Sequence, residues 1–313
     1  ELHKDDIIDQ FISMSTHDHL LVFTDKGKVY RIKGYNVPEF SRTSKGIPAI
    51  NLISMEKTEN IRALVPYSKD HDSKFLFFVT KQGIIRRTTF DEYENINKNG
   101  KIAIKLNEDD ELAFVRSTDG NAEIIIAGSN GKAVRFLENT VRPLGRTARG
   151  VKGFNVDGGY VIGLATNLEG EYILTITENG FGKKSSLADY RMTRRGARGV
   201  KTVNVTEKSG KLVCMRAVRG DEDCMIMTAG GIVIRISLNQ VSVYSRSAQG
   251  VKVINVKDDI VSSVAILEPE EDSEVVDISH NEVLDEGSFE ETPDDEDIIE
   301  NDEEEVTDSD SEE

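Results

Sequence analysis

Internal repetition narrows the folds open to this chain more than any other property of its sequence: one unit of about 50 residues recurs five times. The turn Thr24-Asp25-Lys26-Gly27 returns as Thr80-Lys81-Gln82-Gly83, then at Ser129-Asn130-Gly131, Thr177-Glu178-Asn179-Gly180 and Thr228-Ala229-Gly230-Gly231. Each turn follows a β-prone run (20–23, 75–79, 124–127, 173–176 and 225–227) and precedes another, such as Lys28-Val29-Tyr30-Arg31-Ile32. A short polar turn ending in glycine between two such runs predicts a hairpin, because glycine reaches positive φ without a Cβ clash. A second glycine recurs at Gly46, Gly100, Gly150, Gly199 and Gly250, 19 residues after the hairpin glycine in four copies and 17 in the second. Third strands are expected at 49–53, 102–106, 151–156, 200–205 and 251–256, and fourth strands at 61–65, 111–115, 160–165, 211–218 and 260–266. Four strands per unit at this period predict an all-β, propeller-like array, and the absence of tryptophan argues against the WD40 type.

The array is expected to span residues 16–267. Residues 1–15 read as the last strand of an upstream unit, so the chain reads as a piece of a longer protein. From Glu268 onward there are 24 acidic residues and no Lys or Arg, a segment that cannot bury enough apolar surface to offset its chain entropy and is expected to be disordered. Taking those 24 from the 56 acids of the whole chain leaves 39 basic against 32 acidic residues in 1–267, a surplus of seven positive charges. A basic body with a segregated acidic tail points to nucleic acid as partner, the tail serving equally well as internal competitor or as solubiliser.

The connection that ends at each second glycine carries the basic residues. These are Arg42 and Lys45 in the first unit, Lys98 and Lys101 in the second, and Arg142, Arg146, Arg149 and Lys152 in the third. The fourth has Arg191, Arg194, Arg195, Arg198 and Lys201, and the fifth Arg246 and Lys252. Arg and Lys supply charge and donors for phosphates, and the glycines are expected to let the backbone N–H approach them. Tyr35, Tyr93, Tyr190 and Tyr244 are expected to pack blade edges rather than stack bases, which favours duplex phosphate contact over single-strand binding. A protein-interaction propeller binding acidic partners is the alternative from another class.

Several of these segments together closely resemble the C-terminal domain of the DNA gyrase A subunit. They are Val29-Tyr30-Arg31-Ile32-Lys33-Gly34-Tyr35, Gly100-Lys101-Ile102-Ala103-Ile104-Lys105, Val134-Arg135-Phe136, Arg146-Thr147-Ala148-Arg149-Gly150-Val151-Lys152-Gly153 and Thr177-Glu178-Asn179-Gly180-Phe181-Gly182-Lys183-Lys184. The likeness covers residues 5–267. It implies a six-bladed β-pinwheel, propeller-like in outline but different in strand connectivity. It also implies wrapping of duplex DNA around the rim, in support of ATP-dependent negative supercoiling by a parent type II topoisomerase. The family's Gln-Arg-Arg-Gly-Gly-Lys-Gly box is absent; the nearest match is Thr193-Arg194-Arg195-Gly196-Ala197-Arg198-Gly199. In the family that box lies in the first blade, which would fall upstream of Glu1; the related topoisomerase IV is the other parent compatible with its absence.

No catalytic constellation emerges. His17-Asp18-His19 reads as a hydrogen-bonded lead-in to a strand rather than a metal pair, and Asp109-Asp110-Glu111 as an inter-strand turn rather than a carboxylate dyad. No cofactor is expected in this segment, ATP and Mg being used by the parent enzyme. The expected partners are duplex DNA, gyrase B and the remainder of gyrase A, with the isolated segment a monomer. Cys214 and Cys224 are expected as buried free thiols, which with the absence of an apolar leader suggests a bacterial cytoplasm and an association with the nucleoid.

Overall fold

The computed structural model describes residues 12–41, 44, 46–68, 73–257 and 259–267. Within these residues the five predicted hairpins all form. Their inner members are β1 (His19–Thr24), β4 (Phe75–Thr80), β8 (Glu123–Gly128), β12 (Tyr172–Thr177) and β16 (Asp223–Thr228). Each pairs antiparallel with the strand that follows its glycine turn: β2 (Lys28–Lys33), β5 (Ile84–Thr89), β9 (Lys132–Leu137), β13 (Phe181–Ser186) and β17 (Val233–Ser237). On the other side of each hairpin lies the fourth strand of the same repeat: β3 (Ile61–Tyr67), β7 (Leu112–Thr118), β11 (Val161–Thr166), β15 (Leu212–Val218) and β19 (Val261–Leu267). The middle strand of a hairpin such as Phe75–Thr80 is buried on both faces, which explains its near-continuous apolar sequence.

The third strand departs from expectation. It is only two residues long in repeats two to five: β6 (Lys101–Ile102), β10 (Val151–Lys152), β14 (Val200–Lys201) and β18 (Val251–Lys252). Each joins not its own blade but the outer edge of the preceding one, β6 on β2, β10 on β5, β14 on β9 and β18 on β13. The four complete sheets therefore run β3-β1-β2-β6, β10-β5-β4-β7, β11-β8-β9-β14 and β15-β12-β13-β18, while the fifth is three-stranded, β17-β16-β19. The expected strand at 49–53 is instead a single 3-10 turn, Ala49–Asn51, with no preceding blade among the described residues to receive it.

The array thus comprises five blades rather than the six implied by resemblance, because the described residues contain five hairpins and each hairpin seeds one blade. The reading of residues 1–15 as a sixth blade's last strand is not realised over 12–15, which are irregular, and residues 1–11 lie outside the described set. The acidic tail from residue 268 onward also lies outside it. No helix of the described residues is long and apolar enough to cross a membrane.

The core sits mainly between blades, with one smaller cluster of Val22, Tyr30, Ile32 and Ile53 inside the first repeat. One apolar cluster joins Leu21 and Phe23 of the first blade to Leu76 and Phe78 of the second, with Phe23 and Phe78 packed edge to face at 5.6 Å. Equivalent clusters follow at each later junction, so every blade contributes apolar side chains to its neighbour's cover. Cys214 and Cys224 are buried free thiols in the last of these, and burial raises both above the usual thiol value.

Candidate nucleic-acid interface

The rim loops are built from a shared element, a tight turn at or just before the recurrent glycine. In the second to fifth repeats it closes with Gly100 N–H donating to Asn97 O (2.9 Å), Ala148 to Gly145 (3.0 Å), Ala197 to Arg194 (3.4 Å) and Ala248 to Ser245 (3.1 Å). The turns are also stitched to the preceding repeat: Gly196 N–H donates to Gly153 O at 2.6 Å and Asn155 N–H to Ala197 O at 3.0 Å. The loops are therefore held in place by backbone bonds from one repeat to the next.

The recurrent glycine has a structural role within the fold. At Gly199 φ is +81° and an added Cβ would lie 2.4 Å from the Ala133 carbonyl oxygen; Gly150 and Gly250 meet Ile85 O and Gly182 O just as closely. The glycine lets the loop run directly against the preceding blade's outer strand, which is where the exchanged strand pairs. Gly199→Ala is expected to cost about 1–3 kcal/mol, combining positive φ with a backbone clash, and to lower the urea unfolding midpoint accordingly.

Of the expected contact residues, Lys98, Arg142, Arg149, Lys152, Arg191, Arg194, Arg195, Arg198, Lys201 and Lys252 are exposed. Among the described residues no carboxylate pairs with Arg149, Lys152, Arg194, Arg195, Arg198 or Lys201. These six come from the third and fourth loops, whose backbones bond directly to each other, so they form one continuous basic stretch. Lys101 is half-buried beside Tyr30's strand, pairing with Val29. Arg42 and Lys45 lie outside the described residues.

Two expected contacts are partly spent on the fold. Arg146 donates to Ile102 O at 3.1 Å and lies 3.8 Å from Glu92, and Arg246 donates to Lys201 O. Each sits four residues before its glycine and clasps the exchanged segment of the repeat before it. Tyr93 and Tyr190 are buried as expected, but Tyr35 is exposed, with the Lys33 ammonium over its ring at 5.3 Å. Asp18 accepts the Ser15 N–H at 3.1 Å, and Asp110 accepts from Gln82 and Glu111 N–H, so both acidic motifs organise turns.

The larger surprise lies beneath the loops. Arg86 and Lys183, three residues after their hairpin glycines, are fully buried. Arg86 donates to Arg146 O at 2.5 Å, Ala148 O at 3.0 Å and Tyr93 Oη at 3.0 Å, and also to Ala103 O. Lys183 Nζ donates to Ser245 O at 2.7 Å, Arg246 O at 2.6 Å and Ser185 Oγ at 2.9 Å. Each buried cation thus gathers carbonyls of the next repeat's rim loop from beneath. One residue further on stands a basic residue in every repeat: Arg31, Arg87, Arg135, Lys184 and Arg235. Arg135 holds Leu187 O and Tyr190 O at 2.7 Å and pairs with Glu123, while Arg87 lies 3.6 Å from buried Glu138. The fixed offset from the hairpin glycine is the sequence signal that marks these residues; what it cannot mark is that Arg87 and Lys184 are buried while Arg235 is exposed.

Burial, with the nearby Arg246 charge adding to it, lowers the Lys183 ammonium from its ordinary 10.5 to about 7. Between those values the unfolded chain binds the proton more tightly than the folded one, so stability rises with pH across that window. Wild type should therefore gain on Lys183→Met as pH is raised from 7 toward 10, by up to about 1.4 kcal/mol per pH unit. Paired chemical unfolding curves at several pH values read this difference directly.

The profile of the family described as DNA gyrase C-terminal domain, beta-propeller, matches residues 18–66, 74–119, 122–167, 171–219 and 222–268, one match per blade. The DNA gyrase A protein of Staphylococcus epidermidis (strain ATCC 12228 / FDA PCI 1200) is 46% identical over 275 residues, covering 86% of this chain and 31% of that protein. Its counterpart in Staphylococcus aureus (strain MRSA252) is 46% identical over 277 residues, covering 87% of this chain and 31% of the relative. The chain thus spans about a third of the length of these curated relatives. Among solved structures, a DNA topoisomerase IV C-terminal domain superposes with a TM-score of 0.74 at 25% identity, covering 82% of this chain and 80% of that one. A DNA gyrase A C-terminal domain follows with a TM-score of 0.69 at 25% identity, covering 81% of this chain and 84% of its own.

Proposed function

This chain belongs to the family of DNA gyrase C-terminal β-propeller domains, and on that premise we propose that its rim binds duplex DNA through the phosphate backbone and bends it around the array. The observation that carries this reading is the unbroken basic stretch of Arg149, Lys152, Arg194, Arg195, Arg198 and Lys201, exposed and free of carboxylate partners among the described residues. The third loop is held from beneath by buried Arg86 and the fourth by Arg135 and backbone bonds to the third, so those charges are presented with little ordering cost on binding. Guanidinium and ammonium groups set among Gly, Ala and Thr suit phosphate oxygens, which carry no sequence information, so contact is read as sequence-independent.

A duplex that touches successive loops has to curve. Bending 20–30 bp by 40–90° costs on the order of 1–6 kcal/mol, which several phosphate contacts offset through counterion release. The flanking basic residues Arg142, Arg191, Lys98, Lys101, Arg246, Lys252, Arg42 and Lys45 extend the path on either side. In the parent enzyme this domain supplies the bent DNA segment, while cleavage and the ATP- and Mg-dependent steps belong to the rest of gyrase A and to gyrase B. The place of action is the bacterial cytoplasm, on the nucleoid.

The deciding experiment relaxes and ligates a nicked circle with the domain at saturation. A shift in linking number relative to free DNA is expected. Saturated binding with no shift would sink the wrapping reading and leave a surface that binds DNA without bending it.

A further inference from the structure

The fourth strands β3, β7, β11, β15 and β19 surround a cavity of about 340 Å³ at the centre of the array. Its lining includes Arg62, Arg116 and Arg216 but a single carboxylate, Glu169. Register places Arg116 opposite Phe77 and Arg216 opposite Leu174, the same position in the second and fourth repeats. The third and fifth repeats carry Ala165 and Ala265 there, opposite Ile125 and Met225. The small residues leave room, and the Arg216 guanidinium reaches past β11 to lie 5.7 Å from the Phe114 ring of β7.

The charges are not balanced within the protein. Arg116 Nε lies 3.2 Å from Glu169 and its NH1 donates to Val115 O at 3.0 Å. Arg62 is shared with Glu111 at 3.5 Å, a carboxylate that also pairs with Lys81 at 2.5 Å. Arg216 makes one hydrogen bond, to Met215 O at 3.3 Å, and has no carboxylate partner among the described residues. A guanidinium has five N–H donors, so most of those on Arg216 are unspent. Burial and the Arg216 charge both act to hold Arg116 below its ordinary value, against the pull of Glu169.

We propose that this central cavity is a binding site for a small, multiply charged phosphate, held by Arg216 and Arg116 with Arg62 completing its ligation. Two guanidiniums presenting planar donor pairs suit tetrahedral phosphoryl oxygens better than a monovalent anion. The three arginines against one carboxylate match an anion of two or more charges. The cavity lies on the inner strands rather than on the loops, so the site is separate from the rim path.

Inorganic pyrophosphate is the probe, with orthophosphate as the less charged comparison, titrated into the full chain by calorimetry. Binding of one pyrophosphate per chain is expected, tighter than orthophosphate and weakened about tenfold to a hundredfold by Arg216→Met. Arg194→Ala/Arg198→Ala on the rim should leave that binding unchanged. Equal affinity in Arg216→Met and wild type, or loss of binding in the rim variant instead, overturns the proposal. Should Arg216→Met not fold, arginine side-chain NMR of the unaltered chain decides. Pyrophosphate must then shift the Nε–Hε signals of Arg116 and Arg216, and shifts confined to rim arginines refute the site.

Discussion

Replacing Arg194, Arg195 and Arg198 together with alanine is expected to weaken duplex binding on the order of a hundredfold near 0.1 M salt, equally for all sequences. Each phosphate contact contributes about 0.9 to the slope of log affinity against log salt, so losing three should flatten that slope by about 2.7. The three side chains are exposed and have no ionic partner among the described residues, so their removal should leave stability within about 0.5 kcal/mol. Fluorescence anisotropy with a labelled duplex between 50 and 200 mM salt reads both quantities, within the range where phosphate-dominated binding varies most usefully. An unchanged slope, or a loss confined to particular base sequences, would contradict a phosphate path through the fourth loop.

The second large effect falls on a residue that cannot touch DNA. Arg86→Met is expected to destabilise the domain by about 2–5 kcal/mol, since it strips donors from the carbonyls of Ala103, Arg146 and Ala148 and from Tyr93 Oη at a fully buried site. The third rim loop, no longer tied at those carbonyls, should then present Arg149 and Lys152 less well, and DNA affinity should fall with no change in the rim's own sequence. Arg86→Lys should rescue only in part, since Lys183 shows that an ammonium at this position reaches two carbonyls of the next loop. One ammonium cannot span the acceptors that the two ends of the guanidinium fork now serve. Full affinity in a folded Arg86→Met protein would show that the buried cations support the fold but not the presentation of the rim.

Much of this was legible in sequence because the signals are local. A polar turn with glycine between two β-prone runs specifies a hairpin whatever surrounds it, and all five hairpins form where Gly27, Gly83, Gly131, Gly180 and Gly231 place them. The basic loops were equally legible, since Arg149, Arg194, Arg195 and Arg198 flank glycines in turns too polar to be buried. Less legible was which basic residues face outward. Arg86 and Arg87 on β5 look no different in sequence from Arg194 and Arg195, yet the first pair lies inside and the second on the rim. The distinction rests on which carbonyls converge around a side chain, and those carbonyls belong to a loop some 60 residues away.

The repeat, its five hairpins, the basic loop beside each recurrent glycine and the segregation of acids into the tail are all written in the order of the residues. The assembled fold was needed to establish that each third strand completes its neighbour's blade, that Arg146 and Arg246 clasp the adjoining loop, and that Arg86 and Lys183 lie beneath the rim. The reason is physical. Turn geometry and hydrophobic periodicity are properties of a few consecutive residues, whereas a strand's pairing edge and a cation's burial depend on partners a whole repeat away.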